Sequence, residues 1–144
     1  MIIAIGADHA GFHLKEELRR HLEEAGHQVV DCGTHGTASV DYPDLAEQVA
    51  RSVGRGEAER GLLVCGTGIG MAIAANKVPG IRAANCNDLF AAGLSRGHND
   101  ANVLTVGARI VATQHAMAIV DRFLEAPYDG GHHQRRIDKI SALE

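Results

Sequence analysis

No tryptophan occurs among the 144 residues, and phenylalanine and tyrosine together bring the aromatic share to only 3%. With a net charge of −4, that scarcity argues against a nucleic-acid surface, which needs cations and rings on which bases can stack. Cysteine is also sparse. Cys32, Cys65 and Cys86 form no disulfide framework, and their odd number suits a reducing compartment with free thiols. No apolar run approaches the roughly 20 residues needed to cross a bilayer. The opening MIIAIGADHAG lacks a basic region ahead of its apolar stretch and reads as a first strand rather than a signal peptide. A soluble, cytoplasmic protein with no membrane or nucleic-acid partner is expected. An anionic ligand is compatible with the acidic total if its cations are local.

Hydrophobic residues make up 45% of the chain, so disorder is not expected. A domain of this length buries roughly 68–70% of its unfolded surface, and one domain over residues 1–144 is predicted. Apolar runs alternate with amphipathic segments, the pattern of a parallel sheet covered by helices on both faces. The predicted fold is therefore α/β, three layers around a five-stranded parallel sheet. Strands are placed at Ile2–Ala7, Gln28–Asp31, Leu62–Cys65, Ile81–Ala84 and Val103–Val106. In the first helix, Leu14, Leu18, Leu22 and Ala25 form an apolar stripe, Lys15, Glu16, Arg19, Arg20 and Glu23 face water, and Gly26 suits the C-terminal cap. Pro43 and Asp44 open a second helix ending near Gly54. Asn87 caps another through Leu94, Thr113 a further one through Leu124, and Arg135–Leu143 forms the last.

The segment GLLVCGTGIGMAIAANK, residues 61–77, joins an apolar strand to a small-residue helix through a thiol and a triple-glycine turn. Gly66, Gly68 and Gly70 let the backbone approach a ligand, and the N–H groups of the helix beginning near Ile69 point at whatever lies above the turn. Cys65 ends its strand, where open α/β sheets place ligands. The plainer alternative is a small buried hydrophobe before a tight turn. Three glycines alternating with Thr67 and Ile69 exceed what such a turn needs.

Four further clusters are expected at loops on the same edge. Asp8-His9-Ala10-Gly11 follows the first strand, Arg96-Gly97-His98-Asn99-Asp100 precedes the fifth, Arg109 follows it, and Gly130-Gly131-His132-His133-Gln134-Arg135-Arg136 follows the fifth helix. Singly, Asp8 is an ordinary cap, His9 a loop histidine and Arg109 a surface charge. A charge run is usually a solvated face, but cations gathered in one short segment of an acidic chain also suit a phosphate clamp.

The chain resembles the ribose-5-phosphate isomerase B family, which groups with galactose-6-phosphate and allose-6-phosphate isomerases. The resemblance is carried by GADHAGFHLK, DCGT, DYPD, CGTGIGMAIAANKVPGIRAA, SRGHNDANVLTVGAR and GGHHQRRIDKI. It implies a Rossmann-like fold, a site between the two subunits of a homodimer or tetramer, and aldose–ketose interconversion of a pentose 5-phosphate without metal or nucleotide. By matching motif, Cys65 is the proton-transferring base, and Thr67 with Gly66, Gly68, Ile69 and Gly70 holds substrate oxygens. His98 assists ring opening; Asp8, His9, Asn99, Arg109 and Arg136 bind substrate. The resemblance also implies that His98, Asn99 and Arg109 face the Cys65 turn of a neighbouring chain. His132 departs from the family's usual arginine, which leaves a hexose phosphate, or a phosphate grip using His133 or Arg135, open.

The residue types fit that chemistry. A proton must leave the carbon beside a carbonyl while the enediolate oxygen is held, which suits a thiolate beside oriented N–H donors. Other classes compete less well. For a dinucleotide site, Met71 stands where a third glycine is needed and Ala83-Ala84-Asn85 offers no acidic ribose ligand. A metal enzyme could use the nine histidines, and His9 with His13 has helical spacing, yet no third ligand of suitable spacing follows. A sugar-phosphate sensor without catalysis would use the same binding residues.

Overall fold

Five short segments pair as parallel strands, most of them hidden on both faces. A computed structural model places residues 1–144. Strands β1 (Ile2–Ala7), β2 (Gln28–Asp31), β3 (Arg60–Cys65), β4 (Ala83–Asn85) and β5 (Val103–Gly107) form one sheet in the order β2-β1-β3-β5-β4. Every neighbouring pair is parallel. The two-residue period of a strand sorts side chains into two cores. Ile3, Ile5, Leu62, Val64, Leu104 and Val106 face α1 (Phe12–Glu24), α4 (Leu89–Asn99) and α5 (Thr113–Glu125). Ala4, Leu63, Cys65 and Val103 face α2 (Tyr42–Gly54) and α3 (Ile69–Ala75). A last helix, α6 (His132–Ser141), lies against α4. The expected three-layer α/β architecture is present, and no helix is long and apolar enough to cross a membrane.

Several local expectations are corrected. Strand β3 starts two residues early, at Arg60, and β4 begins at Ala83 rather than Ile81. Ile81 is apolar, but its N–H closes a turn onto the Val78 carbonyl (3.2 Å) and its side chain fills the α2–α3 core. Helix α4 is capped by Asp88, whose carboxylate accepts from the Ala91 N–H (2.7 Å). Asn87, the expected cap, instead accepts from the Gly107 N–H (3.0 Å). Helix α4 also continues past Leu94 to Asn99, α5 takes Thr113 as its first residue rather than its cap, and α6 starts at His132 rather than Arg135.

Lys15 is the largest departure on α1. Placed on the wet face by helical period, it is wholly buried. Its ammonium bonds Asp31 at the end of β2 (2.6 and 2.7 Å) and Glu16 (3.0 Å). Glu16 in turn accepts from Arg19 (3.0 Å), and these two cations hold its carboxyl below the usual carboxylate range, the Arg19 hydrogen bond contributing most. Ala25, the expected end of the apolar stripe, is exposed, while Gly26 takes the positive φ (92°) just past the helix end.

Candidate active site

The direction in which successive connections step across this sheet reverses between β1 and β3. From β1 the path turns to β2 through α1 on one face; from β3 it turns toward β4 through α3 on the other. The loops that follow β1 and β3 therefore part around a crevice at their carboxyl ends, where open α/β sheets bind ligands. Asp8 and His9 leave β1 there, and the Cys65 turn leaves β3.

Cys65 is buried, 6% exposed, and its Sγ accepts a hydrogen bond from the Gly68 N–H (3.1 Å). That bond curls the turn over the sulfur and requires Gly68 at φ 82°, a left-handed conformation open to glycine. Thr105 of β5 locks the turn from below, its Oγ1 donating to the Gly68 carbonyl (2.7 Å). The Ile69 N–H is taken by Thr67 Oγ1 (3.2 Å). The N–H groups of Gly66, Thr67 and Gly70 have no acceptor within the chain, so these three, rather than the whole run 66–70, are the donors left for a ligand oxygen. Burial pushes the Cys32 and Cys86 thiols up, toward the protonated form.

Around this turn the structure gathers Asp8, His9 and Arg109. Asp8, also buried, fixes its own loop by accepting from the Ala10 and Gly11 N–H groups (3.0 and 3.1 Å). His9 Nδ1 accepts from the Val40 N–H (3.2 Å), which in the neutral ring leaves Nε2 as the donor. Arg109 is tied to Gly66 of its own chain: its N–H donates to the Gly66 carbonyl (3.0 Å), and its guanidinium lies over Gly66, 3.3 Å from where a Cβ would stand. Arg109 thus lies beside its own chain's Cys65 turn, rather than opposite a neighbouring chain's turn as the resemblance implied. One neighbour was missed. The Tyr42 ring lies 2.7 Å from where a Gly70 Cβ would stand, so it walls the turn; the only sequence signal was the DYPD segment before α2.

His98, Asn99, His132 and Arg136 are not on this edge. A segment that precedes a parallel strand enters at that strand's amino end. His98 and Asn99 close α4, and Arg82, just before β4, donates to the Asn99 carbonyl (2.8 Å). Helix α4 has 11 residues, about 16 Å of rise, which separates this group from the carboxyl edge. Helix α6 joins it there. Gly130 and Gly131, at φ 64° and 60°, turn the chain so that the His133 ring stacks on His98 (centroids 4.3 Å apart, planes at 15°), with His132 a further 4.1 Å from His133. Asp129 Oδ2 stands 3.9 Å from His98 Nε2. Partial burial, then the neighbouring His132, His98 and Arg136, hold the His133 imidazole below its ordinary range. Arg136 and His132 are exposed. Arg96 is structural: it is buried and bonds Asp100 and the Ala101 carbonyl (2.7 Å each).

The candidate residues of one chain therefore fall into two groups at opposite ends of its sheet. A hollow of about 640 Å³ between the segment after α3, β4 and α6 includes no residue of the Cys65 turn.

Comparison with known proteins places this arrangement. The model of the family described as Ribose/Galactose Isomerase matches residues 3–140. Ribose-5-phosphate isomerase B of Escherichia coli (strain K12) is 51% identical over 142 residues, covering 99% of this chain and 95% of that protein. The solved ribose-5-phosphate isomerase B of Clostridium thermocellum superposes with a TM-score of 0.99 at 51% identity, covering 99% of this chain and 97% of that one. That of Mycoplasma genitalium, solved with bound ribulose-5-phosphate, gives a TM-score of 0.94 at 44% identity over 99% and 95% of the two chains.

Proposed function

Because the chain belongs to the ribose/galactose isomerase family, we propose that it interconverts ribose 5-phosphate and ribulose 5-phosphate, a step of pentose phosphate metabolism, in a site shared between two copies. The observation that carries this reading is the Cys65 turn, which seats a thiol beside three unpartnered N–H donors at the switch point of the sheet. A solved relative that holds ribulose-5-phosphate supports the substrate.

The steps follow from the residues. His98 passes a proton from the C1 hydroxyl to the ring oxygen as the C1–O4 bond breaks, giving the open aldehyde. The Cys65 thiolate takes the proton from C2, and the electron pair moves onto O1, where the N–H groups of Gly66, Thr67 and Gly70 hold the negative charge. The thiol returns its proton to C1 while the O2 proton passes to O1, leaving the ketose. Thr67 Oγ1 and Asn99 orient hydroxyls, Asp8 keeps the β1 loop in place, and His9, Arg109, Arg136 and His132 hold the phosphate. Binding energy from that remote group positions the reacting carbons.

Two features support the shared site and hence a homodimer. Cys65 and His98 lie at opposite sheet ends, so one copy cannot bring them together. Around the carboxyl edge, Ile69, Ile73, Phe90 and Ile110 are 54%, 60%, 78% and 58% exposed, an apolar surface that a second copy would cover. The test is an isomerase assay on a panel of pentose and hexose phosphates with Cys65→Ala and His98→Ala. Each variant alone should be inactive, and subunit exchange between them should restore part of the activity. Normal turnover in Cys65→Ala refutes the base; exchange without recovery refutes the shared site. A second reading, an allose or galactose 6-phosphate as preferred substrate, is favoured by His132, and the same panel separates it.

A further inference from the structure

We propose that His98, Asp129 and His133 form a binding site for a divalent transition-metal ion of the zinc type, and that filling it shuts down turnover by occupying His98. The second half rests on the reading of His98 as the ring-opening residue; the first does not.

Each of the three residues offers one ligand atom, and those atoms all lie within 4.8 Å of one another. Two imidazole nitrogens and a carboxylate oxygen are the donor set that borderline ions such as Zn2+ and Co2+ favour over Mg2+ or Ca2+. Donors around a tetrahedral ion at about 2.0–2.1 Å are roughly 3.4 Å apart, so closure needs at most about 1.4 Å of movement. His98 and Asp129 side chains are 44% and 54% exposed, which leaves them free to rotate that far.

The backbone has already brought the three together. The Asp129 N–H donates to the Gly97 carbonyl (3.0 Å), fixing residue 129 beside the end of α4. The two left-handed glycines that follow then place His133 on the His98 ring. His132 stands next to it, a further imidazole within one side-chain rotation. None of this is visible as ligand spacing in the chain, because the ligands come from the end of α4, a loop and the start of α6.

The consequence is competition. An imidazole nitrogen coordinated to a metal has no lone pair with which to move a proton, so metal-bound His98 cannot assist ring opening. The ion would act as an inhibitor and not a cofactor.

The experiment titrates Zn2+ into the full metal-free chain by calorimetry and uses Co2+ absorption to report the ligands. One ion per chain is expected, with tetrahedral visible bands and no sulfur-to-metal charge-transfer band. Asp129→Asn and His133→Ala should each weaken binding at least about tenfold, and Cys65→Ala should leave it intact. Saturating Zn2+ should lower turnover about a hundredfold, the scale of a lost general acid–base contribution, reversibly with a chelator, and each variant, compared with its own metal-free rate, should need correspondingly more Zn2+. Binding unaffected by Asp129→Asn and His133→Ala, or lost in Cys65→Ala, overturns the site. Binding without inhibition overturns the competition. Metal-free turnover tests the isomerase reading separately: a chain with no turnover that still binds Zn2+ through Asp129 and His133 sinks that reading and upholds the site.

Discussion

Gly66 and Gly68 sit two residues apart in one turn, yet adding a single methyl group to each should have very different effects. Gly68 lies at φ 82°, and a Cβ there would meet Asn85 Oδ1 at 2.4 Å and the Val106 backbone at 3.0 and 3.1 Å. The dihedral alone costs an alanine about 1–2 kcal/mol. Overpacking adds about 1–3 kcal/mol, because Val106 belongs to the central strand β5 and Asn85 is held by Thr105 Oγ1 (3.2 Å). The sum is about 2–5 kcal/mol. At about 2–4 °C per kcal/mol for a chain of this size, Gly68→Ala should melt about 4–20 °C below the parent. Gly66 has no positive φ, and its Cβ would touch only the flexible Arg109 side chain at 3.3 Å, so Gly66→Ala should melt within about 2 °C of the parent on the same scale. Calorimetric scans of the three proteins at one concentration decide the matter. A Gly68→Ala chain melting with the parent, or Gly66→Ala falling as far as Gly68→Ala, would show that the turn is not held as described. Any Gly68→Ala protein that folds should also lose turnover, because the Cys65 Sγ contact comes from the N–H that must shift.

Lys15→Met should destabilise by about 2–3 kcal/mol in urea unfolding, somewhat below the cost of breaking a fully buried pair because the Asp31 side chain is 21% exposed. Equal stability would mean that the pair is already solvated. Glu16 has a folded carboxyl pKa depressed below 4.5, so its contribution is present above that pH and is lost as pH falls through the folded value. Glu16→Gln should therefore flatten the acid limb of a stability–pH curve slightly, a small effect for a group near the surface. His132→Arg should tighten binding of ribose 5-phosphate about tenfold through a permanent, bidentate charge. Unchanged affinity by calorimetry would remove residue 132 from the phosphate grip.

What could be read from the sequence was whatever depends on near neighbours. Buried parallel strands are apolar on both faces, so β1, β3 and β5 stood out as runs, and the α/β alternation followed. The Cys65 turn was legible for the same reason, since strand, thiol, glycines and helix start are contiguous. Helical period placed Leu14, Leu18 and Leu22 inside, but it also put Lys15 in water. Only the docking of β2 beside β1 brought Asp31 to the ammonium and made burial of that charge tolerable. Ile81 read as strand because hydrophobicity does not distinguish a core-filling turn from a ladder. The candidate site divides along the same line. Its residue types were evident, while their distribution was not: which end of the sheet a residue reaches depends on where its helix stops. Helix α4 runs on to Asn99 and carries His98 away from Cys65, whereas Arg109 folds back onto Gly66. Asp129 and His133 join His98 only through a carbonyl contact and two left-handed glycines. Contacts across 30 or more residues leave no period in a chain, and the tertiary structure alone decides them.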